Sequence, residues 1–233
     1  MKRFLPFLAL LLALTLSSCA SAGRLVVDPV QARRVAVLTA PSRIGVISRG
    51  DMEVLDDSLG NVATEFLAQA LSISYLINAD TVVQAERFSA LEDSVYQVVN
   101  VAQAVRKRKL SRVRVPDNIV EFARSQGERY LLLATHGGFT RTRENYRKET
   151  VKGVGVTMAS VALSVLLGGT GTVYGSTPVA FPNRDGSTLS IALVDVGERQ
   201  VFYVRTVFIE RPPDDYGTLV HQVKTALTGF YDR

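Results

Sequence analysis

The side chains best equipped for reaction chemistry are two histidines and a scatter of serines and carboxylates. His136 ends an apolar run and precedes Gly137 and Gly138, so a base stands beside backbone N–H groups able to hold an oxyanion. Acyl transfer also needs an activated nucleophile, and the chain has no G-x-S-x-G elbow. Ser42, Ser125 and Ser187 qualify by residue type alone, and nothing in their spacing orients one against His136. A strand-end histidine that is packed or hydrogen-bonded locally is the better reading, and His221 falls in a C-terminal helical pattern. The carboxylates read as structural. Asp56-Asp57 and Asp214-Asp215 precede helical patterns, where their oxygens can accept exposed N–H groups, and Asp195 suits a hairpin turn. Asp51, Glu53 and Asp56 are oxygen donors, but not at the spacing of a calcium loop. Gly168-Gly169-Thr170-Gly171 lacks the lysine and the strand–turn–helix setting of a phosphate cradle. One cysteine excludes an intrachain disulfide, an iron–sulfur ligand set and a multi-cysteine zinc site. The expectation is a protein that is not an enzyme and carries no cofactor.

The single cysteine, Cys19, has a more specific context. Met1-Lys2-Arg3 is positive, residues 4–16 are almost wholly apolar, and Leu16-Ser17-Ser18 brings small residues up to Cys19. These are the parts of a secretory signal, and the apolar run is shorter than the roughly 20 residues of a membrane-spanning helix. Leu16-Ser17-Ser18-Cys19 resembles a bacterial lipoprotein box. That resemblance implies cleavage before Cys19, a thioether from its nucleophilic sulfur to diacylglycerol, and acylation of the new amine. Several acyl chains anchor durably where one does not. An ordinary secreted protein with a cysteine near its cleavage site is the alternative. The chain then divides into a leader (1–18), a lipidated tether (19–32) and a periplasmic domain (33–233). Cleavage leaves 215 of 233 residues and lowers the formal charge from +5 to +3 by removing Lys2 and Arg3. Ala20, rather than aspartate, follows the cysteine, which resembles an outer-membrane sorting signal. The expected location is the outer membrane, lipid-anchored, with the domain facing the periplasm.

The elements that must position these residues follow from hydrophobic periodicity. Arg34–Leu38 predicts a buried strand broken by Pro41, and residues 43–48 a second β-like run. Val62, Phe66, Ala70, Ile73 and Ile77 mark an amphipathic helix starting near Asp56–Ser58. Thr81–Val83 can re-enter a sheet, and Val95, Val98, Val99, Ala102 and Val105 form one face of a helix from Asp93 to about Lys109. Pro116-Asp117-Asn118 starts a shorter helix, and Tyr130–Thr135 is a strong strand candidate. Residues 188–196 and Val201–Ile209 flank a short polar link and predict a hairpin. Pro212-Pro213 then stop the strand, and Leu219, Val223, Leu227 and Phe230 stripe a final helix. The sum is a single α/β domain with a mixed sheet, flanking helices and a late β-hairpin.

Two features stand apart from this framework. Residues 154–175 carry no charge, yet Gly168, Gly169, Gly171 and Gly175 weaken the second half as a helix. A buried helix with a glycine-rich turn, a membrane-contacting element and a transmembrane helix all remain open. Arg106, Lys107, Arg108, Lys109, Arg112 and Arg114 form the densest basic run, suited to lipid headgroups, cell-wall polymer or an acidic protein face. Its alternative is a solvated surface. Nucleic acid is not expected, because the leader exports the chain and no nucleic-acid-binding motif occurs. Arg141, Arg143, Arg147, Lys148 and Lys152 make a second basic stretch interrupted by Glu144 and Glu149.

With Val35-Ala36-Val37-Leu38, Tyr130-Leu131-Leu132-Leu133 and Ala192–Val196 entering a hairpin, the chain resembles a group of bacterial envelope lipoproteins. The group contains the curli-secretion lipoprotein and the peptidoglycan-synthase-activator lipoproteins. The order of these segments covers most of residues 33–230. The resemblance implies an α/β domain used in protein assembly, polymer export or regulation of envelope machinery, through its helix-rich face and residues 139–180. The chain departs from the curli-secretion pattern, having no pair of alternating amphipathic hairpins for a β-barrel pore. The expected function is a structural or assembly partner in an envelope complex, with an envelope protein partner. An oligomeric component of a secretion or polymer-export system is the alternative, in which the chain is a homo-oligomer.

Overall fold

A computed structural model describes residues 35–74, 82–105, 107–152 and 182–228. The leader with Cys19, the tether, Arg106 and the apolar insert at 154–175 lie outside the described residues. In chain order the elements are β1 (Ala36–Thr39), β2 (Arg43–Arg49), β3 (Met52–Leu55), α1 (Asp57–Ser72), β4 (Val82–Gln84) and α2 (Ala90–Ala104). A 3-10 helix (Lys107–Arg112), α3 (Asp117–Ser125), β5 (Tyr130–Arg141) and α4 (residues 143–152) follow. The chain closes with β6 (Asp185–Asp195), β7 (Gln200–Ile209) and α5 (Tyr216–Leu227).

Among the described residues the strands form one mixed sheet built around β5. β6 lines one side of β5 antiparallel, from Tyr130↔Asp195 to Thr140↔Asp185, and β7 continues from β6 as the expected hairpin. The other side of β5 is shared. β1 pairs parallel with its first half (Ala36↔Leu131) and β2 parallel with its second (Arg43↔Gly137). β4 extends the sheet beyond β1, and β3 extends it beyond β2. The architecture is the α/β domain with a mixed sheet, flanking helices and late hairpin that the sequence predicts.

Alternation along β5 divides the core. Leu131 and Leu133 belong to a cluster with Val95, Val99 and Ile119 of α2 and α3, whereas Leu132 and Ala134 pack with Leu67 and Leu71 of α1 and Leu219 and Val223 of α5. Both faces of β5 are therefore covered, which is why its first half reads as a continuous apolar run. Each fully buried leucine contributes about 1.5–3 kcal/mol relative to exposure.

The helix caps follow their predicted residues. Asp56 Oδ1 accepts from the N–H groups of Ser58 and Leu59 at 2.9 and 3.0 Å, and Asp215 Oδ2 from that of Thr218 at 2.7 Å. The inner face of α1 differs from the expected stripe. Ala63, Leu67, Ala70 and Leu71 are buried, while Val62 and Ile73 are exposed and Ile77 lies outside the described residues. The helix stops at Ser72, and Gly60 sets its approach, since a Cβ there would lie 2.8 Å from the Ser42 carbonyl oxygen. α2 starts earlier than expected, at Ala90. Ser89 Oγ accepts from the Glu92 N–H at 3.1 Å, one half of a capping box. The helix ends at Ala104, so Lys109 belongs to the 3-10 segment instead. β3 has no counterpart in the sequence reading because all four of its residues are exposed, leaving no buried alternation to detect.

Gly138 allows β5, β6 and the Pro213 turn to converge. A Cβ there would stand 2.2 Å from the Gly186 carbonyl oxygen and 2.7 Å from Pro213 Cβ. Gly138→Ala is expected to lower stability by roughly 1–3 kcal/mol, read as a drop in Tm. An unchanged Tm would show that the strands move apart freely.

Candidate functional site

The interruption between β1 and β2 creates the most distinctive polar site among the described residues. Ala40 donates its N–H to the Ala134 carbonyl at 2.9 Å, Pro41 follows, and the chain rejoins β5 at Arg43↔Gly137. Ser42 is left facing His136, on the same face of β5 as Leu132 and Ala134. Ser42 Oγ lies 3.1 Å from His136 Nδ1, and Ser187 Oγ of β6 lies 3.0 Å from Nε2. Thus two of the three serines singled out by type converge on His136, and Ser125 sits exposed at the end of α3. His136 is interior to β5 rather than at its end.

The proton positions follow from the partners. Gln222 of α5 donates Nε2–H to the carbonyls of Ser187 and Val207, at 2.9 and 3.2 Å, which turns its Oε1 toward Ser187. Ser187 Oγ donates its proton to that Oε1 at 2.9 Å. It must therefore accept from His136 Nε2–H, leaving Nδ1 to accept from Ser42 Oγ. The Ser42 N–H donates to Thr64 Oγ1 at 2.7 Å, and Thr64 donates on to the Gly60 carbonyl. Every hydroxyl proton in this relay is committed, and His136 is 1% exposed. Burial lowers the His136 pKa to about 4, so the ring is neutral at pH 7. The relay contains no carboxylate to stabilise an imidazolium. Its chemistry is that of a satisfied buried network tying the β1–β2 connection, β5, β6, α1 and α5 together.

Above Ser42 a cleft of about 260 Å³ opens, lined by Pro41, Ile44, Leu55, Phe88 and Glu92 among others. Arg43 lies 3.9 Å from the centre of the Tyr96 ring and donates to Glu92 Oε1 at 3.0 Å. Tyr96 donates its hydroxyl to the Pro41 carbonyl at 2.7 Å, and burial pushes its pKa up to about 12 against the nearby Arg43 charge. Glu92 Oε2 accepts the Phe88 N–H at 2.5 Å. Phe88 itself has φ of 61° and is 88% exposed. A bulky residue in the left-handed region stores strain, and here the buried Glu92 carboxylate holds it there. Ser89 and Glu92 were missed in the sequence, although S-x-x-E before an apolar run is the readable signal. Of the cleft's charges, Arg43 pairs with Glu92 and Arg87 with Asp57, while Asp56 is held by the backbone N–H groups at the start of α1. The cleft suits an apolar side chain better than an ion.

The basic run divides. Lys109, Arg112 and Arg114 are exposed, Lys107 and Arg108 lie on the 3-10 helix, and Arg106 falls outside the described residues. Arg114 forms an isolated bridge with Gln200, which places the run beside the start of β7. Arg141 is not a surface cation, contrary to its membership of the second basic stretch. Its side chain is 10% exposed and reaches Asp51, Asn145 and the Gly50 carbonyl, pinning the β2–β3 turn. Asp51 is thus taken by Arg141 and Asp56 by the cap of α1, and among the described residues no His/Cys/Asp/Glu cluster could hold a metal. Asp195 supports the hairpin turn as expected, accepting from the N–H groups of Gly197 and Glu198 while Arg129 reaches its other oxygen. No helix among the described residues is long and apolar enough to cross a membrane.

No family model matches the chain, and no curated protein matches it. Among solved structures it is similar to the PelC dodecamer from Paraburkholderia phytofirmans, at 14% identity over 87% of this chain and 91% of that one, with a TM-score of 0.36. It is also similar to the lipoprotein GNA1162 from Neisseria meningitidis, at 12% identity over 85% and 97% of the two chains, with a TM-score of 0.29. The LpoB C-terminal domain from Escherichia coli matches at 13% identity over 80% and 90%, with a TM-score of 0.27.

Proposed function

We propose that this protein is a lipid-anchored component of the bacterial envelope that works by binding protein, as a repeating unit of a secretion or polymer-export assembly. The observation that carries the binding role is the outer edge of the sheet. All four residues of β3 are exposed, and three of them, Met52, Val54 and Leu55, are apolar. Leu55 also lines the cleft, together with the strained Phe88. An exposed apolar edge strand is a hazard to a solitary protein and a docking surface to a partnered one. The groups most able to do chemistry are meanwhile locked in the His136 relay.

The leader over residues 1–18, followed directly by Cys19, supports the location, with a lipidated tether holding the domain in the periplasm at the outer membrane. The basic residues Lys109, Arg112 and Arg114 suit an acidic protein face. Cross-linking in native membranes followed by purification tests the reading. A reproducible complex containing more than one copy of the chain is expected, and a monomer alone would overturn it. A complex with one copy and a different envelope protein would favour the structural-partner role instead.

A further inference from the structure

One edge of the sheet is broken. β1 and β2 share one side of β5, so the strands beyond them, β4 and β3, lie end to end along a single edge. β4 stops at Gln84 opposite Thr39, and β3 stops at Leu55 opposite Gly45. The cleft lined by Pro41, Ile44 and Leu55 occupies the gap between the two ends. Its volume of about 260 Å³ is small for a ligand site and suits one large side chain.

The rim of the cleft carries such a side chain. Phe88 is 88% exposed, so its ring stands out of the cleft rather than filling it. Its φ of 61° and the Glu92 carboxylate on its N–H keep it there, and strain of this kind persists only where the surroundings enforce it. The rim also carries both signs of charge, on opposite faces of the sheet. Arg43 stacks on Tyr96 of α2, the helix that packs against Leu131 and Leu133. Asp57 opens α1, which packs against Leu132 on the other face. The Arg43 side chain is 49% exposed and gives one guanidinium nitrogen to Glu92, while that of Asp57 is 78% exposed and meets Arg87 through one oxygen. Each therefore keeps an outward edge for a second partner.

We infer that two copies of this chain pair through this notch about a two-fold axis, with Phe88 of each entering the cleft of the other. This rests on the oligomeric reading above and names one of its contacts. Protrusion and recess lie in the same patch, as an isologous contact requires. The rotation sets the α2 side of one copy against the α1 side of the other, so Arg43 faces the second copy's Asp57 and unlike charges meet twice. Every copy then has one such mate, and the number of copies in any larger assembly is even.

Sedimentation of the full-length lipidated protein in detergent measures the pairing, with circular dichroism and Tm as checks on folding. Phe88→Asn removes the ring and leaves a residue that visits the left-handed region readily, so Tm is expected to hold or rise. Self-association is expected to weaken by at least about ten-fold. Leu55→Asp, also at an exposed position, spoils the recess and is expected to do the same. An equimolar mixture of the two variants regains part of the association, because Phe88 of the Leu55→Asp copy still meets an intact cleft. A Phe88→Asn protein that keeps the wild-type mass, a mixture that associates no better than either variant, or an odd number of copies in the wild-type assembly overturns this contact and leaves the oligomeric reading standing. A wild-type protein that sediments only as a monomer overturns both.

Discussion

Under the proposed lipid anchor, Cys19→Ala is expected to abolish lipid labelling and outer-membrane retention, the largest effect expected of any single substitution in the chain. The sulfur is the only group in the sequence that can form the thioether, since the chain has one cysteine. Without the thioether no diacylglycerol is attached and cleavage before residue 19 is lost. Each buried methylene of an acyl chain contributes about 0.8 kcal/mol to membrane affinity, so losing several chains removes far more than ten-fold in partitioning. The measurement is incorporation of labelled fatty acid, together with the mass of the protein from separated membranes. A Cys19→Ala protein that still takes up label and co-fractionates with the outer membrane would refute the anchor.

Acid will destabilise the fold through His136. Burial holds this imidazole at about 4, against an ordinary value of 6.5. The unfolded chain therefore binds more protons than the folded one between these two values. The stabilisation is complete above about pH 6.5 and is lost as pH falls toward about 4. The difference corresponds to on the order of 3 kcal/mol. Equilibrium unfolding by denaturant at pH 7 and at pH 4.5 measures it. In His136→Gln, which keeps polar atoms near Ser42 and Ser187, this pH-dependent component is expected to disappear while stability at pH 7 falls by about 1–3 kcal/mol. Equal pH dependence in both proteins would place the acid sensitivity elsewhere.

Local structure was legible wherever one face of an element is buried. Val35–Leu38 and Tyr130–Leu133 read as strands because both faces of the central sheet are covered, and Leu219, Val223 and Leu227 read as a helix because α5 buries one stripe. Asp56 and Asp215 read as caps because their oxygens satisfy N–H groups that a helix start leaves free. Reading failed where burial does not mark the element. β3 is wholly exposed, and the second half of β5, through Gly137 and Gly138 to Arg141, is polar and only partly covered. The buried face of α1 keeps Ala70 of the expected stripe but otherwise falls on Ala63, Leu67 and Leu71 rather than on Val62 and Ile73.

By itself the sequence determined the class of fold, the caps and most of the strands, and it raised the expectation of a leader cut before Cys19. These are local properties, written in residues a few positions apart. Only the tertiary structure decided what the polar residues do. Ser42 and His136 are 94 positions apart, His136 and Ser187 51, and Ser187 and Gln222 35. They meet because β1 and β2 divide one side of β5 between them while β6 takes the other, and no spacing rule encodes that adjacency. The same topology leaves β3 and β7 at opposite edges of one sheet. Which member of each ion pair beside β3 faces outward is likewise a matter of packing that composition does not contain.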